Sequence, residues 1–478
     1  MRIFLLSIIL IAVARLNSQV YPNQNISLAG FISPNTSSIG LGPNNQRYSG
    51  CWAWYQSNKN KEYAISGGSS GTYFIDITNP ATPSVSAYVP GKSNCIWREI
   101  KTYQNYCYVA SDDPAPNNFQ IIDMQYLPDS VNVIHKGTTY IQTGHTLWID
   151  NNKLYVGIAK GGTVGVASMA VFSLATPTAP VLLRKLNQDF PMITGVHDMY
   201  VRNDTIYASC EGMGLYVFKL NANNTFSQLG SYSNYASGFT YNHSSYLTQN
   251  GQTLVFCDEI PVGMPLRIVN VSNPANITPQ STVIPYATSV PHNPYVVGND
   301  HVVLSSYQDG LQIYNISNPT SPFLAGYFDT HPQGGAPNGT YFNNEYAGNW
   351  GAYPWLPSGL IVANDMQNGV FILNPMAAYT TTSSVSMPLS TVKMPENELN
   401  RRISIWPVPA KDKLQIKLPE STNCRIVVSD LTGHTLIIES FSGEGTELSL
   451  DGFKEGIYLM ELRYQGKTEI RKFAVMPH

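Results

Sequence analysis

Charge is scarce in this chain of 478 residues: Asp, Glu, Lys and Arg together make up 12%, and the formal net charge is −3. No basic block stands anywhere, which argues against a nucleic-acid binder driven by phosphate neutralisation. The six cysteines include no CxxC pair, so zinc-ribbon and thioredoxin chemistry are disfavoured. No segment approaches the ~20 apolar residues that a spanning helix needs. Heptads of Ala, Glu, Lys, Leu and Arg are missing, which excludes a coiled coil. Also missing are GxSxG, HExxH, the P-loop, GxGxxG and the EF-hand calcium loop.

What is present is apolar and aromatic. Residues of the hydrophobic class make up 43%, and 30 tyrosines outnumber the 28 lysines and arginines. Such a chain is neither disordered nor collagen-like, and its length allows more than one domain. It begins Met1-Arg2, followed by an apolar run from Ile3 to Val13 and the polar stretch Asn17-Ser18-Gln19. A cationic start, a short apolar core and a small residue before a polar stretch describe a secretory signal peptide over 1–18, cleaved near Ser18. Export permits disulfides. Cys51 and Cys95 fall at what reads as one repeat position in successive units and form the candidate pair; Cys210 and Cys257 also match each other.

Charge density divides the chain. Of its 59 charged residues, 21 lie in the last 78 positions. A polar, Pro-punctuated linker over 377–400 separates the two regions. The first region repeats itself: Asp76-Ile-Thr-Asn79-Pro80 returns as Asn270-Val-Ser-Asn273-Pro274 and Asn315-Ile-Ser-Asn318-Pro319, with a weaker copy at 173–180. Strands of 5–7 residues alternate with Asn, Asp, Gly and Pro turns, and no helical period appears. Four strands, A to D, fit each unit of ~40–50 residues, the signature of propeller blades. Seven second strands are legible, near Tyr63, Tyr106, Leu154, Ile206, Leu254, Val302 and Leu360. The seventh unit lacks its last strand, and 26–32 reads as the strand that completes it and removes the open edge. The expected architecture is all-β: a seven-bladed β-propeller over 19–376, followed by a small C-terminal β-sandwich over 401–478.

The phrases at 310–319, 71–80 and 214–219 resemble the LVIVD repeat, and the run of blades resembles the secreted choice-of-anchor B propellers of bacteria. Beyond 400, Ile403-Ser-Ile-Trp-Pro407-Val408-Pro409, Val428-Ser-Asp430-Leu-Thr-Gly433 and Gly456-Ile-Tyr458 are similar to the C-terminal sorting domain of type IX secretion substrates. Val408 departs from that family's usual Asn. The resemblance implies passage across the outer membrane of a Bacteroidetes-type bacterium, with the type IX machinery as partner and the tail removed afterwards.

Loops entering strand A and loops joining B to C open on one face of a propeller. His145, His197, His243 and His292 all start a strand A, spaced 52, 46 and 49 residues apart. Trp97-Arg98-Glu99, Cys51-Trp52 and Trp350-Gly-Ala-Tyr353 take that place in the other blades. The B–C turns supply Asp112, Asp113, Glu211, Asp258, Glu259, Asp309 and Asp365. Structurally, each His can donate to an acid or carbonyl of the next turn and lock the blades. Functionally, neutral imidazoles beside carboxylates suit a divalent cation or an acid–base pair. Trp52, Trp97, Trp350, Tyr353 and Trp355 can stack on a ligand or plug the channel. The long loop 329–350 reads as a lid or as an insertion. The first expectation is a secreted or surface propeller that binds an extracellular protein or glycan, with no nucleic acid and no membrane span. The rival is an extracellular hydrolase or lyase at the His/acid mouth, with a divalent cation as its candidate cofactor.

Overall fold

The computed structural model describes residues 20–36, 45–95, 97–112, 119–233, 235–236, 240–284, 286, 289–335, 347–387, 404–406, 410–430, 434–454, 456–465 and 467–475. The signal peptide and its cleavage point, Asp113 and the middle of the loop 329–350 lie outside them. The chain forms two compact units, 1–390 and 391–478. No described helix is long and apolar enough to cross a membrane.

In the first unit the described strands form seven antiparallel sheets; six hold four consecutive strands, the seventh three consecutive strands and one from the other end of the chain, and one of the six gains a fifth strand. Blade three shows the pattern: Thr146–Asp150, Lys153–Gly161, Gly165–Ser173 and Val181–Lys185 pair in order. Buried positions crowd the two middle strands, as in Leu154, Tyr155 and Val156, because both faces of a blade pack on neighbours. Each innermost strand packs on the innermost strand of the next blade all the way round, including blade seven on blade one.

Closure comes from the other end of the chain. Ser27–Ile32 pairs with Gly369–Asn374 as the outer strand of blade seven, and Asn23–Gln24 adds to the edge of blade six. The seam between blades seven and one is then sealed from both sides. Cys51, Ala53 and Ile75 share a core with Val362, Val370 and Ile372. Asn364 Nδ2 donates to the carbonyls of Ser49 and Gly50 at 3.1 and 3.2 Å.

The repeated phrase has a mechanical reading. In each copy two Asx turns follow one another: Thr78 N–H donates to Asp76 and Ala81 N–H to Asn79, and Asn270/Asn273 and Asn315/Asn318 do the same. In two copies the turn so fixed presses its proline carbonyl on a glycine of the preceding blade's outer strand; in the third, Pro319 O accepts from Ser281 Oγ at 2.6 Å. A Cβ on Gly30 would stand 1.7 Å from Pro80 O, and one on Gly230 1.7 Å from Pro274 O.

Two sequence expectations change. The propeller body continues past 376: a helix at Met376–Thr380 buries Ala378, and Val385 N–H donates to Leu324 O. The Cys51–Cys95 disulfide does not form, since all six cysteines are free and buried. Cys51 sits inside an innermost strand opposite Ser66, whereas Cys95 precedes blade two and gives its thiol to Trp97 O. Arg98, three residues on, is what lies beside Gly50.

In the second unit, Ser404–Trp406, Lys413–Asp430, Thr435–Ser449, Gly456–Tyr464 and Lys467–Val475 form one five-stranded sheet. Its pairing skips between Lys417 and Thr422. Residues on both sides of that break, Leu414 and Ile416 as well as Ile426 and Val428, share one core. The two layers of the small β domain are thus halves of a single bent sheet.

Blades six and seven meet over a polar seam in which Asp309, Asp329, Thr330, His331 and Asp365 are all buried. His331 N–H and Asp329 Oδ1 are 2.8 Å apart, Thr330 Oγ1 donates to Asp365, and Asp329 Oδ2 finds no partner among the described residues. Burial, against the donated His331 N–H and the nearby His331 ring but aided by Asp365 and Asp309, pushes the Asp329 carboxyl up to about 7. The folded state therefore holds this proton more tightly than the unfolded chain does. The associated stability is full below the unfolded carboxyl value of ~3.9 and is lost as pH rises towards 7.

Two outcomes follow. Gly30→Ala or Gly230→Ala should cost about 1–3 kcal/mol by overpacking and lower the melting temperature, while Gly137→Ala, with its nearest neighbour 3.8 Å away, should not. Asp329→Asn keeps the acceptor for His331 N–H. It should leave melting at pH 4 nearly unchanged and raise it at pH 8, read by calorimetry across that range.

Candidate functional site

The strand registers set Gly50, Arg98, His145, His197, His243, His292 and Trp350 at one level around the channel. Here the predicted histidines meet. Ring centroids are 4.1 Å apart for His145–His197, 4.3 Å for His197–His243 and 4.3 Å for His243–His292. The series continues through Trp350 at 4.5 Å from His292, and on to Trp97 at 5.0 Å.

Hydrogen bonds orient these imidazoles from behind. His145 Nδ1 lies 2.6 Å from Asp112 Oδ2, His197 Nδ1 3.1 Å from His243 O, and His292 Nδ1 2.6 Å from Trp350 O. A carbonyl or an ionised carboxylate can only accept, so Nδ1 carries the proton in each and Nε2 keeps its lone pair when the ring is neutral. Burial and the neighbouring imidazoles hold His197 well below the ordinary histidine range. Burial, then His243, does the same for His292. Burial also lowers His243, although Glu259 partly opposes it. His145 goes the other way: burial pulls it down, but its bond to Asp112 together with the charges of Asp112, Asp198 and Glu99 outweighs that and leaves it raised. Two buried nitrogens, His243 Nδ1 and His292 Nε2, have no partner among the described residues. In His145, His197 and His292 the nitrogen that fastens the ring to its neighbour is Nδ1.

The acids of the B–C turns part company. Asp112 and Glu259 reach the ring: Glu259 Oε2 lies 3.8 Å from His243 Nε2, while its Oε1 accepts from Tyr307 Oη at 2.7 Å. Asp258 is engaged by Arg267 at 3.0 Å and Tyr235 Oη at 2.6 Å. Glu211 accepts from Tyr241 at 3.1 Å. Asp309 and Asp365 belong to the seam between blades six and seven. Arg98 is only 1% exposed, with Nε donating to Gly68 O and one terminal nitrogen to Lys92 O. Its guanidinium fastens blade one to blade two, and the residue is part of the funnel lining.

The aromatic candidates divide into two layers. Trp97 and Trp350 join the histidines, whereas Trp52, Tyr353 and Trp355 lie deeper with Trp148, Tyr246 and Tyr295. In that deeper layer Trp52 touches Trp148 at 6.4 Å, Trp148 touches Tyr246 at 5.7 Å and Tyr246 stacks on Trp355 at 5.1 Å. Rings from non-adjacent blades meet across the axis, so this layer plugs the channel. Lys101 Nζ lies 4.3 Å from the centre of the Trp52 ring and pairs with Glu99. Sequence reasoning passed over Lys101 and Asp198. Burial pushes the Asp198 carboxyl up to about 6, despite Lys101 and with Glu99 adding to the rise. The signal was a spacing of three: His145/Trp148, His197/Tyr200, His243/Tyr246, His292/Tyr295, Trp350/Tyr353 and Arg98/Lys101.

Above the plug is a blind funnel lined by both layers and by Glu99, Thr146, Asp198 and Asn293. Its cavity volume is about 60 Å³, counted as room for water centres, which is space for a few waters, an ion or a small ligand group.

The family model for the secretion system C-terminal sorting domain matches residues 404–476, and the LVIVD repeat model matches 306–330. No curated protein matches the chain. Three solved structures illustrate the likeness. PorZ, an essential bacterial surface component of the type-IX secretion system of Porphyromonas gingivalis, is 11% identical over 91% of this chain and 60% of its own, with a TM-score of 0.44. A putative 6-phosphogluconolactonase from Bacteroides uniformis is 14% identical over 64% and 88%, at 0.47. A chain of the COPII coat assembled on membranes is 11% identical over 83% and 54%, at 0.50. This chain therefore spans about 60% of the PorZ chain. At these identities the likeness is one of fold alone. The chain is thus a secreted or cell-surface seven-bladed propeller with an LVIVD repeat, ending in a type IX C-terminal sorting domain.

Proposed function

We propose that the propeller is an extracellular binding protein that takes a glycan at its funnel, and that residues 401–478 serve only its delivery through the type IX machinery. The observation that carries this reading is the chemistry of the funnel wall. The unpartnered His292 Nε2 and the carboxylates of Glu99 and Asp198 are acceptors, and ring faces stand between them. A sugar supplies what such a wall lacks: hydroxyl donors, with C–H faces to lie on Trp97. A protein ligand offering Ser, Thr or Lys side chains is the lesser match, because it brings fewer donors per unit of surface.

One further observation favours a hydrolase. The His145–Asp112 pair is partly exposed, with a raised imidazole pKa, an arrangement that suits a general base.

A glycan and peptide array with the full chain should show glycan binding, weakened at least tenfold in Trp97→Ala. Binding to peptides alone, or to nothing, would overturn the reading. Product release from the bound glycans, abolished in Asp112→Asn, would replace it with the hydrolase. For delivery, removing 404–478 should leave the propeller in the periplasm; its normal appearance outside the cell would sink the export assignment.

A further inference from the structure

We propose that the mouth is also a metal centre, with His197, His243 and Glu259 ligating one dication of the zinc class. The proposal stands on side-chain geometry and does not depend on the glycan reading, although both concern the same funnel.

One ligating atom from each of the three residues lies within 4.8 Å of the other two, and all three side chains are buried. The wall beside the three adds one bare acceptor: His292, 1% exposed and in ring contact with His243, leaves Nε2 without a partner among the described residues. A buried polar atom left bare costs free energy, and a water held by a cation is a donor.

The surrounding bonds orient the ligands as metal sites require. His197 gives its Nδ1 proton to His243 O, which fixes the tautomer and presents Nε2. Glu259 is held through Oε1 by Tyr307 Oη, which frees Oε2 to face His243. Two ligands on a cation at 2.0–2.1 Å stand about 3.3–3.5 Å apart in tetrahedral geometry. The present 3.8 Å between His243 Nε2 and Glu259 Oε2 closes to that by a small side-chain rotation.

The donor set selects the metal. Calcium takes six to eight oxygens and magnesium an octahedron of oxygen and water; one carboxylate among imidazoles supplies neither. Two imidazoles and one carboxylate suit zinc, with the fourth position open to the funnel for water or a ligand hydroxyl.

The test uses the full chain, stripped with EDTA and titrated with Zn²⁺ by calorimetry and with Co²⁺ by visible absorption. Expected are one equivalent bound per chain and the intense band of tetrahedral cobalt. His243→Ala and Glu259→Gln should each weaken binding at least tenfold, while His434→Ala, in the sorting domain, should not. Glu259→Gln keeps an acceptor for Tyr307, and its melting temperature without metal shows that the fold survives. Absence of one-equivalent binding, or binding that neither mouth variant weakens, overturns the metal centre. Running the glycan array on stripped and zinc-loaded protein separates the two ideas. Glycans held by a protein that binds no zinc would sink the metal alone, and zinc held with no glycan would sink the glycan alone.

Discussion

Everything at the mouth depends on closure of the ring. Innermost strands of separate blades share no ladder bonds; packing between blades is what brings their first residues to a common level. That packing propagates around a circle only if blade seven meets blade one, and blade seven owns just three strands until Ser27–Ile32 joins it. A few residues at the start of the described chain thereby fix where His145 stands relative to Trp350. The same closure leaves every blade face covered, which is why middle strands read as continuous Val, Ile, Leu and Tyr runs instead of alternating ones.

Repetition explains why the histidines are turned alike. Because successive blades are related by nearly the same rotation, one rule recurs: Nδ1 turns to a neighbouring blade's carbonyl or carboxylate. The bond aligns the ring, and the alignment leaves a second nitrogen uncommitted. Burial then acts on charge. Four imidazoles in contact cannot all be cationic in a dry funnel, so His197 and His292 are held neutral, whereas His145 at the end of the row has Asp112 to support a proton. The row therefore runs from a proton-holding end to a neutral, aromatic one.

Much of this was legible beforehand for physical reasons. Seven blades could be counted because strand runs and Asn-Pro turns recur, and each Asn-Pro is a double Asx turn whose chemistry is local. The histidine row was legible because spacings of 46 to 52 residues match one blade. The misreadings arose where repeat position alone does not decide a side chain's direction. Cys95 looked equivalent to Cys51, but the loop before blade two shifts it three residues ahead of the ring and Arg98 takes the place. The aromatics looked like one rim because a spacing of three along a strand becomes depth only when seven strands stand in a circle. Asp258 and Glu259 are neighbours in sequence with different partners: Asp258 ends the strand Thr253–Asp258 and is held by Arg267 and Tyr235, whereas Glu259 stands just beyond it and is held by Tyr307.

The plug beneath the mouth determines what the funnel can do. An open channel would fill with water and screen the charges inside it. Here indole and phenol rings from non-adjacent blades touch across the axis, and the one cation among them, Lys101, is held by Glu99 and the Trp52 face. Removing Glu99 would leave an ammonium buried without its counter-charge, a penalty of several kcal/mol in such surroundings. One carboxylate oxygen of Glu99, Oε1, is thus committed to the floor. With the floor closed and neutralised, the field above it is set by the imidazole row and by Asp198 and Glu259. The histidines and Glu259 are buried, so each of those contacts is stronger than the same contact on an open surface. A propeller with no plug would need many weak contacts at its rim to hold a small ligand, whereas this one concentrates a few acceptors over a dry base.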